Sequence, residues 1–185
     1  MIKVAPCRLT VHEQDFIAND IFGLRFPWYR VPYSTTEDVD PRVRGRCYNV
    51  PFFSHILMER SGNPSFDGTI ISTAFHPFQH IFDRWCRDNG IDYTKIFRAS
   101  VNWTLGNEIA DHSVPHFDHT FAHKNWIMYL NTVDNAPTIM FDSEYNIVDR
   151  IPCIANTAAT FENQLHAVGF HTGVEQRMVV VITYY

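Results

Sequence analysis

The sequence predicts a mostly β domain built as a sandwich or barrel, and its number of strands suits a jelly roll. From about residue 96 the chain divides into eight short segments rich in β-branched and aromatic residues, joined by turn-like residues. Eight strands are what a jelly roll needs. Aromatic residues make up 15% of the chain, which favours a tightly packed β interior. The predicted strands are Ile96 to Leu105, Val114 to His119, Trp126 to Asn131, Thr138 to Asp142, Ile147 to Ile154, Ala158 to Glu162, Ala167 to Phe170 and Gln176 to Tyr184.

The length predicts one domain, because 185 residues allow one substantial core and hardly two. We expect a single domain over residues 1–185 in three parts. Residues 1–72 form an irregular, aromatic-rich lead-in, in which closely spaced prolines such as Pro27 and Pro32 break any helix. Residues 73–90 form a helix, and residues 96–185 form the eight-stranded core.

The predicted helix is amphipathic and lies ahead of the strand-rich half. Its apolar side chains recur at intervals of three and four residues, which describes one buried stripe. Pro77 suits the first helical turn, and Asn89-Gly90 supplies a C-terminal stop. The stripe consists of Phe75, Phe78, Ile81, Phe82, Trp85 and Cys86.

Composition excludes several classes of protein. The net charge of −5, with no long basic run, disfavours bulk nucleic-acid binding. Four widely spaced cysteines without a C-x-x-C pair indicate neither a zinc cluster nor a disulfide scaffold. No stretch approaches the roughly 18 to 20 apolar residues of a membrane span, and the N-terminus lacks the apolar core of a signal peptide. We therefore expect a cytoplasmic protein that does not bind a membrane.

Three arginines, Arg42, Arg44 and Arg46, alternate with small or apolar residues. In an extended segment they would share one face. Such a run is usually a solvated edge. The alternative is a role in gripping an anionic or peptide substrate near the mouth of a binding site.

The clearest chemical signal is His116-Phe117-Asp118. In an extended strand, His116 and Asp118 project to the same face while Phe117 projects to the other. A second imidazole from a distant strand would complete the 2-His-1-carboxylate triad of non-haem Fe(II) oxygenases, and His166 is the candidate. Such a triad leaves about three of the six iron positions open, and the net positive charge favours an anionic chelating co-substrate such as a 2-oxo acid.

A single arginine in the last predicted strand supports this interpretation. Arg177 precedes the run Met178 to Tyr185, which is almost entirely apolar or aromatic. A guanidinium in such surroundings is costly unless it is paired, and its planar fork binds a carboxylate through two hydrogen bonds. The far carboxylate of 2-oxoglutarate would be a fitting partner.

Together these segments resemble the 2-oxoglutarate- and Fe(II)-dependent oxygenases, in particular the prolyl-4-hydroxylase-like branch with its small bacterial and phage-type members. The resemblance rests on His116-Phe117-Asp118, Tyr129-Leu130-Asn131, Asn163 to Val168, and Arg177, in that order. It implies a double-stranded β-helix, or jelly roll, with an N-terminal helix bracing one sheet. It also implies that Tyr129 and Arg177 bind 2-oxoglutarate, while His116, Asp118 and His166 bind Fe(II).

The activity that the resemblance implies is hydroxylation of an unactivated C–H bond by O2, with succinate and CO2 as co-products. Asp118 supports hydroxylation, because halogenating relatives lack the carboxylate ligand. The substrate stays open between a peptidyl residue, a free amino acid, a nucleobase and another small molecule. Fold resemblance does not choose among these, and the oligomeric state is equally unreadable.

Several alternatives remain at this point. His112, His119 and His123 surround the proposed ligands and would allow a cupin-like or zinc site instead. A cupin-type metal enzyme would need no 2-oxoglutarate, and a non-catalytic jelly-roll binding module would use no metal. The side chains expected to line the cavity are Asn102, Trp103 and Asn131.

Overall fold

The computed structural model describes residues 2–35 and 39–185. The first part of the chain contains β1 (Lys3–Pro6), α1 (Val11–Phe16) continued by a π-helical turn (Ile17–Ile21), β2 (Tyr29–Val31), β3 (Cys47–Tyr48), β4 (Phe52–Glu59), β5 (Thr69–Ile70) and α2 (Phe75–Asp88). The second part contains β6 (Ile96–Leu105), β7 (His112–Ser113), β8 (Lys124–Tyr129), β9 (Val133–Phe141), β10 (Ile147–Cys153), β11 (Thr157–Glu162), β12 (His166–Val168) and β13 (Gln176–Tyr184).

A large antiparallel sheet is the main structural element of the fold. Its strands follow the order β1-β11-β8-β13-β6-β4-β2, with β5 paired to β4. At its centre β13 pairs with β8 on one side and β6 on the other, so neighbouring strands are far apart in sequence. Four strands of the C-terminal half, β6, β8, β11 and β13, belong to this sheet and are separated along the chain by strands that lie outside it, as in a double-stranded β-helix.

A smaller sheet of β10, β9 and β12 covers one face of the large sheet. Buried side chains from both sheets pack between them, including Ile127 and Val179 from the large sheet and Ala136, Met140 and Ile151 from the small one. The short strand β7 pairs in parallel with β3 and bridges to Gly169, just beyond β12. The mostly β, jelly-roll prediction is confirmed.

Helix α2 covers the opposite face of the large sheet. The predicted stripe is buried as expected, and it joins the apolar side chains of the sheet in one cluster. Phe82 lies at the centre, with its ring centroid 5.3 Å from that of Trp126 and 5.1 Å from that of Tyr184. No helix in the described residues is both long and apolar enough to cross a membrane.

Helix α1 packs in turn on α2. Thr10 and Glu13 form a capping box at its start, in which each side chain bonds the other's backbone N–H. Glu13 also accepts a hydrogen bond of 2.6 Å from Arg84 of α2, and the rings of Phe16 and Phe78 meet edge to face at 5.4 Å. These contacts fix the N-terminal segment against the core.

Two expectations about local structure are wrong. The segment Val114 to His119 is not a strand, since only His116 makes an isolated bridge and Asp118 lies in a bend. The lead-in is not wholly irregular, because its strand β4 pairs with β6 inside the large sheet. The strand pattern of β4 was obscured because its sequence, FFSHILME, does not alternate between apolar and polar residues.

Residues 41–46 also differ from the expected extended segment. They form turns rather than a strand, so their arginines do not share one face. Arg42 forms ion pairs with Asp40 at 2.8 Å and Glu144 at 3.0 Å. This arrangement fits the solvated-edge interpretation.

Candidate active site

A cavity of about 900 Å³ opens between the two sheets. It collects the chemically important residues from distant parts of the chain: His116 and Asp118 from the bend after β7, His166 from β12, and Arg177 from β13. The two-residue periodicity of β13 turns Arg177, Val179 and Val181 toward this side while Met178 and Val180 face α2. Fold topology therefore brings the predicted residues to one cavity.

His116 and His166 lie opposite each other across a two-residue bridge. Each backbone N–H donates to the other residue's carbonyl, at 3.0 and 3.1 Å. The ring centroids are 4.9 Å apart. Asp118 follows two residues later, and its Oδ2 lies 3.4 Å from the Nε2 of His166. The bridge, rather than a strand through Asp118, places the three side chains together.

Backbone carbonyls fix both imidazole rings in one orientation. Nδ1 of His116 lies 3.0 Å from the carbonyl oxygen of Val114, and Nδ1 of His166 lies 3.0 Å from that of Gln164. Because a carbonyl oxygen can only accept, Nδ1 carries the proton in each ring. The lone pair is then left on Nε2, the arrangement usual for metal-binding histidines.

Asp118 is buried and only half satisfied. Its Oδ1 accepts a hydrogen bond of 3.2 Å from Nη1 of Arg98, whereas its Oδ2 has no hydrogen-bond partner among the described residues. Burial raises the pKa of Asp118, but the neighbouring imidazoles and Arg98 outweigh it and hold that pKa below its usual range. The carboxylate is therefore ionised at neutral pH.

The histidine opposite it is neutral under the same conditions. Burial, reinforced by His116, lowers the pKa of His166 to about 4. An unprotonated imidazole beside an ionised carboxylate is the state that metal binding requires.

The donor chemistry suits a divalent metal, although the side chains do not yet enclose one. In residues 2–35 and 39–185, no group of three or more His, Cys, Asp or Glu side chains stands in a finished metal-binding arrangement. The observation that favours a metal is the orphaned Oδ2 of Asp118, buried beside a histidine whose Nε2 is unprotonated. These residues fit an ion bound by two imidazoles and one carboxylate.

The other chemically distinctive group of the cavity is Arg177, which is only 2% exposed. Its Nε donates to the carbonyl of Ala136 at 3.1 Å, and its Nη2 donates to Oγ1 of Thr138 at 2.9 Å. It forms no ion pair with any carboxylate in the part of the chain that the structure describes. A buried, unneutralised guanidinium is a strong site for an anion.

Tyr129 stands next to Arg177 within this group. The guanidinium carbon lies 5.4 Å from the Tyr129 ring centroid, and the Tyr129 hydroxyl shares a 2.8 Å hydrogen bond with Oγ1 of Thr138. Burial raises the pKa of Tyr129, so the phenol stays protonated. Thr138 thus connects the two residues that sequence resemblance singled out.

The three side chains expected to line the cavity lie in different places. Asn102 does line it and accepts a hydrogen bond of 2.7 Å from Ser54. Trp103 departs from the expectation, since it packs on the other face of β6 against Trp28 at 5.4 Å. Asn131 also departs from it: its side chain bonds the backbone of Gln176 and Met178 and thereby secures the start of β13.

The remaining histidines near the site have other neighbours. Nε2 of His119 bonds Oγ1 of Thr183 at 2.8 Å, and Nδ1 of His112 lies 2.7 Å from the carbonyl of Ser113. His123 is buried, with Nδ1 2.8 Å from the carbonyl of Phe121. His112 and His119 are thus engaged in structural hydrogen bonds.

Two residues of the site were missed by sequence reasoning. Arg98 pairs with Asp118, and it is the single charged residue of β6 just as Arg177 is the single charged residue of β13. A lone charge in a strand, the signal that marks Arg177, therefore marks Arg98 as well. Nothing in the local sequence marks Thr138, which is brought to Arg177 by the fold.

Known structures share this fold. A member of the 2OG-Fe(II) oxygenase family from Burkholderia pseudomallei superposes with a TM-score of 0.68 at 14% identity, over 99% of this chain and 84% of that one. A prolyl hydroxylase from Trichoplax adhaerens, in complex with a hypoxia-inducible-factor degradation-domain peptide, gives 0.61 at 13% identity, over 100% and 83%. The α-ketoglutarate-dependent epimerase SnoN of nogalamycin biosynthesis gives 0.58 at 13% identity, over 99% and 77%.

The similarity is structural. No protein-family model matches the sequence, and no curated protein matches it. At such low identity the neighbours establish the fold, which is that of the 2-oxoglutarate/Fe(II) oxygenases and their prolyl-hydroxylase members. The resemblance predicted from the sequence motifs is confirmed at that level.

Proposed function

We propose that this chain is an Fe(II)- and 2-oxoglutarate-dependent dioxygenase that hydroxylates a C–H bond, working as one catalytic domain. The observation that carries the proposal is the pairing of two chemistries in one cavity. A cluster of two imidazoles and a carboxylate lies in it together with a buried arginine that forms no ion pair with the described residues. Neither feature is expected of a jelly roll that serves only as a scaffold.

His116, Asp118 and His166 would hold the iron. The two imidazoles present an unprotonated Nε2, and Asp118 presents a carboxylate oxygen. The carbonyls of Val114 and Gln164 keep each Nε2 unprotonated, because they accept hydrogen bonds from Nδ1 and so fix the ring tautomers. Bound Fe(II) would supply the redox chemistry that couples O2 and 2-oxoglutarate, giving succinate and CO2, to hydroxylation of the substrate.

Arg177 and Tyr129 would hold the far carboxylate of 2-oxoglutarate. The guanidinium supplies charge and a planar pair of donors, and Tyr129 and Thr138 supply hydroxyls beside it. The next inward-facing residues of β13 are Val179 and Val181. They would contact the co-substrate with apolar surface and exclude water from it. The same strand therefore binds the acid and shields it.

The remaining parts of the proposal are coarser. A small molecule or a peptidyl residue is the substrate, in keeping with the peptide bound to the Trichoplax neighbour. The epimerase neighbour belongs to the same fold and carries out a different reaction. The presence of Asp118 favours hydroxylation over halogenation. We place the protein in the cytoplasm, where Fe(II) and its four free, buried cysteines stay reduced.

Anaerobic visible absorption tests the proposal. The protein is titrated with Fe(II) and then 2-oxoglutarate, and we expect a metal-to-ligand charge-transfer band that is lost in His166→Ala. In Arg177→Ala, 2-oxoglutarate should bind about 10- to 100-fold more weakly, because one charged hydrogen-bonding partner is removed. Arg177→Lys should retain only part of the wild-type affinity for 2-oxoglutarate, since lysine keeps the positive charge but lacks the planar guanidinium.

Matched controls come from exposed residues of the same types. His12→Ala and Arg87→Ala remove an imidazole and a guanidinium on α1 and α2, and both should leave the band unchanged. A well-folded wild type that never develops the band would return the chain to the binding-module interpretation. A band that survives Arg177→Ala unweakened would show that Arg177 does not hold the co-substrate, and a metal-dependent activity that Arg177→Ala leaves intact would favour a cupin-type enzyme.

A further inference from the structure

The described lining of the cavity is cationic although the protein as a whole is acidic. The net charge of the chain is −5. Among the described residues that line the cavity, Asp118 is the single carboxylate, whereas Arg60, Arg98 and Arg177 contribute three guanidinium groups. One anionic co-substrate bound by Arg177 would leave this excess of positive charge only partly neutralised.

Arg60 and Arg98 lie on adjoining parts of the large sheet. Arg98 belongs to β6, and Arg60 follows the last residue of β4, the strand paired with β6. Burial and repulsion by Arg98 lower the pKa of Arg60, so the two positive charges oppose each other. Arg60 forms no ion pair with any described residue, and Arg98 is paired with Asp118 alone.

Arg98 holds Asp118, but the described contacts reveal no structural role for Arg60. A solvated arginine normally turns away from another cation, yet both of these line the cavity beside Asp118. An anion placed between them would convert the repulsion into two charge-assisted interactions. The pair therefore resembles a binding site more than a surface edge.

We propose that Arg60 and Arg98 form a second anion subsite, which binds a carboxylate or phosphate group carried by the substrate. This rests on the proposed function, because it takes the cavity to be that of an oxygenase whose co-substrate occupies Arg177. The link from Arg98 to Asp118 ties the subsite to the metal-binding residues. The substrate is thus an organic anion that reacts close to its charged group.

The walls near the subsite indicate the rest of the substrate. Tyr33, Phe52, Phe117 and Phe121 line the same cavity, and the side chain of Phe117 is 43% exposed. Aromatic faces bind flat or apolar groups. A substrate with an anionic group on an apolar or aromatic body fits this lining.

Isothermal titration calorimetry with two probes tests the subsite. Inorganic phosphate and phenylacetate, an aromatic carboxylate, are each titrated into the wild-type chain, Arg60→Gln, Arg60→Lys and Arg177→Ala, with excess 2-oxoglutarate present to occupy Arg177. We expect the better probe to bind Arg60→Gln about 10-fold more weakly or worse, while Arg60→Lys keeps most of the affinity and Arg177→Ala keeps nearly all. The probe that binds more tightly identifies phosphate or carboxylate as the natural group.

The two proposals fail separately. Affinity for 2-oxoglutarate should fall in Arg177→Ala and stay unchanged in Arg60→Gln. Affinity for the probe should show the opposite pattern, falling in Arg60→Gln and staying nearly unchanged in Arg177→Ala. If 2-oxoglutarate never binds but the probe depends on Arg60, the subsite stands and the oxygenase proposal falls. If neither probe binds at millimolar concentration, or if Arg60→Gln binds as well as wild type, the subsite is overturned. Equal thermal midpoints for the variants and the wild type verify that the variants are folded.

Discussion

The two faces of the large sheet are made by the same strands but differ in composition and role. On the face toward α2, Trp126, Met128, Val180 and Ile182 are fully buried in one apolar cluster. On the face toward the small sheet, their sequence neighbours include arginine, asparagine and tyrosine. Alternation along a strand thus divides one sheet into a face that supplies stability and a face that carries chemistry.

The cavity face keeps polar groups that folding alone would not favour. The described residues leave Oδ2 of Asp118, Oγ of Ser100 and both side-chain polar atoms of Asn125 buried without a hydrogen-bond partner. Each such group costs about 1–3 kcal/mol. A fold can tolerate them because the opposite face is packed almost wholly with apolar groups, and sites of chemistry are where such costs concentrate.

The largest effect should come from the α2 face. Trp126 is fully buried, and its ring centroid lies 5.3 Å from that of Phe82 and 6.2 Å from that of Trp85. Trp126→Ala removes a large apolar side chain and leaves a cavity, so the free energy of unfolding should fall by about 3–5 kcal/mol. Urea unfolding followed by far-UV circular dichroism measures the change.

Trp126→Phe is the matched control for this prediction. It retains an aromatic ring beside Phe82 and should lose clearly less stability than Trp126→Ala. Because Trp126 faces away from the cavity, the folded variant should keep the 2-oxoglutarate affinity of the wild type. A selective loss of that affinity would contradict the division of labour between the two faces.

A smaller effect of opposite sign should come from the neighbouring residue. Asn125 is fully buried, and neither Oδ1 nor Nδ2 has a hydrogen-bond partner in the described part of the chain. Asn125→Leu has nearly the same size and removes an unsatisfied amide, so we expect the free energy of unfolding to stay level or to rise by about 1 kcal/mol. The same urea titration measures it.

Thr183→Val provides the matched control across the strand pair. Thr183 lies opposite Asn125 but is satisfied, since its Oγ1 bonds Nε2 of His119 at 2.8 Å. Thr183→Val should lower the free energy of unfolding by about 1–3 kcal/mol, because the buried imidazole of His119 loses its hydrogen-bond partner. If Asn125→Leu were as damaging as Thr183→Val, Asn125 would have a polar partner after all.

Much of this comparison could be predicted from the sequence. Strands β6 and β13 have the predicted bounds, Ile96 to Leu105 and Gln176 to Tyr184. Their β-branched and apolar residues predict a strand at each position. The stripe of α2 also follows from spacing alone. His116 and Asp118 lie beside His166, but an isolated bridge and a bend bring them there and not the predicted strand.

What could not be predicted depends on contacts between distant residues. The Nδ1 bonds of His116 and His166 go to backbone carbonyls, which no side-chain pattern records. Strand β4 escaped notice because a strand buried on both sides shows no alternation. The pairing of Arg98 with Asp118 and the approach of Arg60 arise only when β4 and β6 meet.

The smallest effect should come from the layer that covers the apolar face. Glu13 joins α1 to α2 through Arg84, and its side chain is 12% exposed. Burial raises the pKa of Glu13, but the hydrogen bonds from Arg84 and Thr10 outweigh it and leave that pKa below its ordinary value. Glu13→Gln should therefore reduce the free energy of unfolding by about 0.5–1 kcal/mol at pH 7.

The pH dependence identifies the source of that stability. A carboxyl group whose pKa is lowered by folding stabilises the protein above the pKa of the unfolded chain, about 4.3 for glutamate, and loses this contribution as the pH falls through its folded value. The gap between wild type and Glu13→Gln should therefore close on acidification below about pH 4. Glu108→Gln, at an exposed loop position, should show no gap at any pH. A gap that persists in acid would mean that the capping geometry, rather than the charge on Glu13, holds α1 against α2.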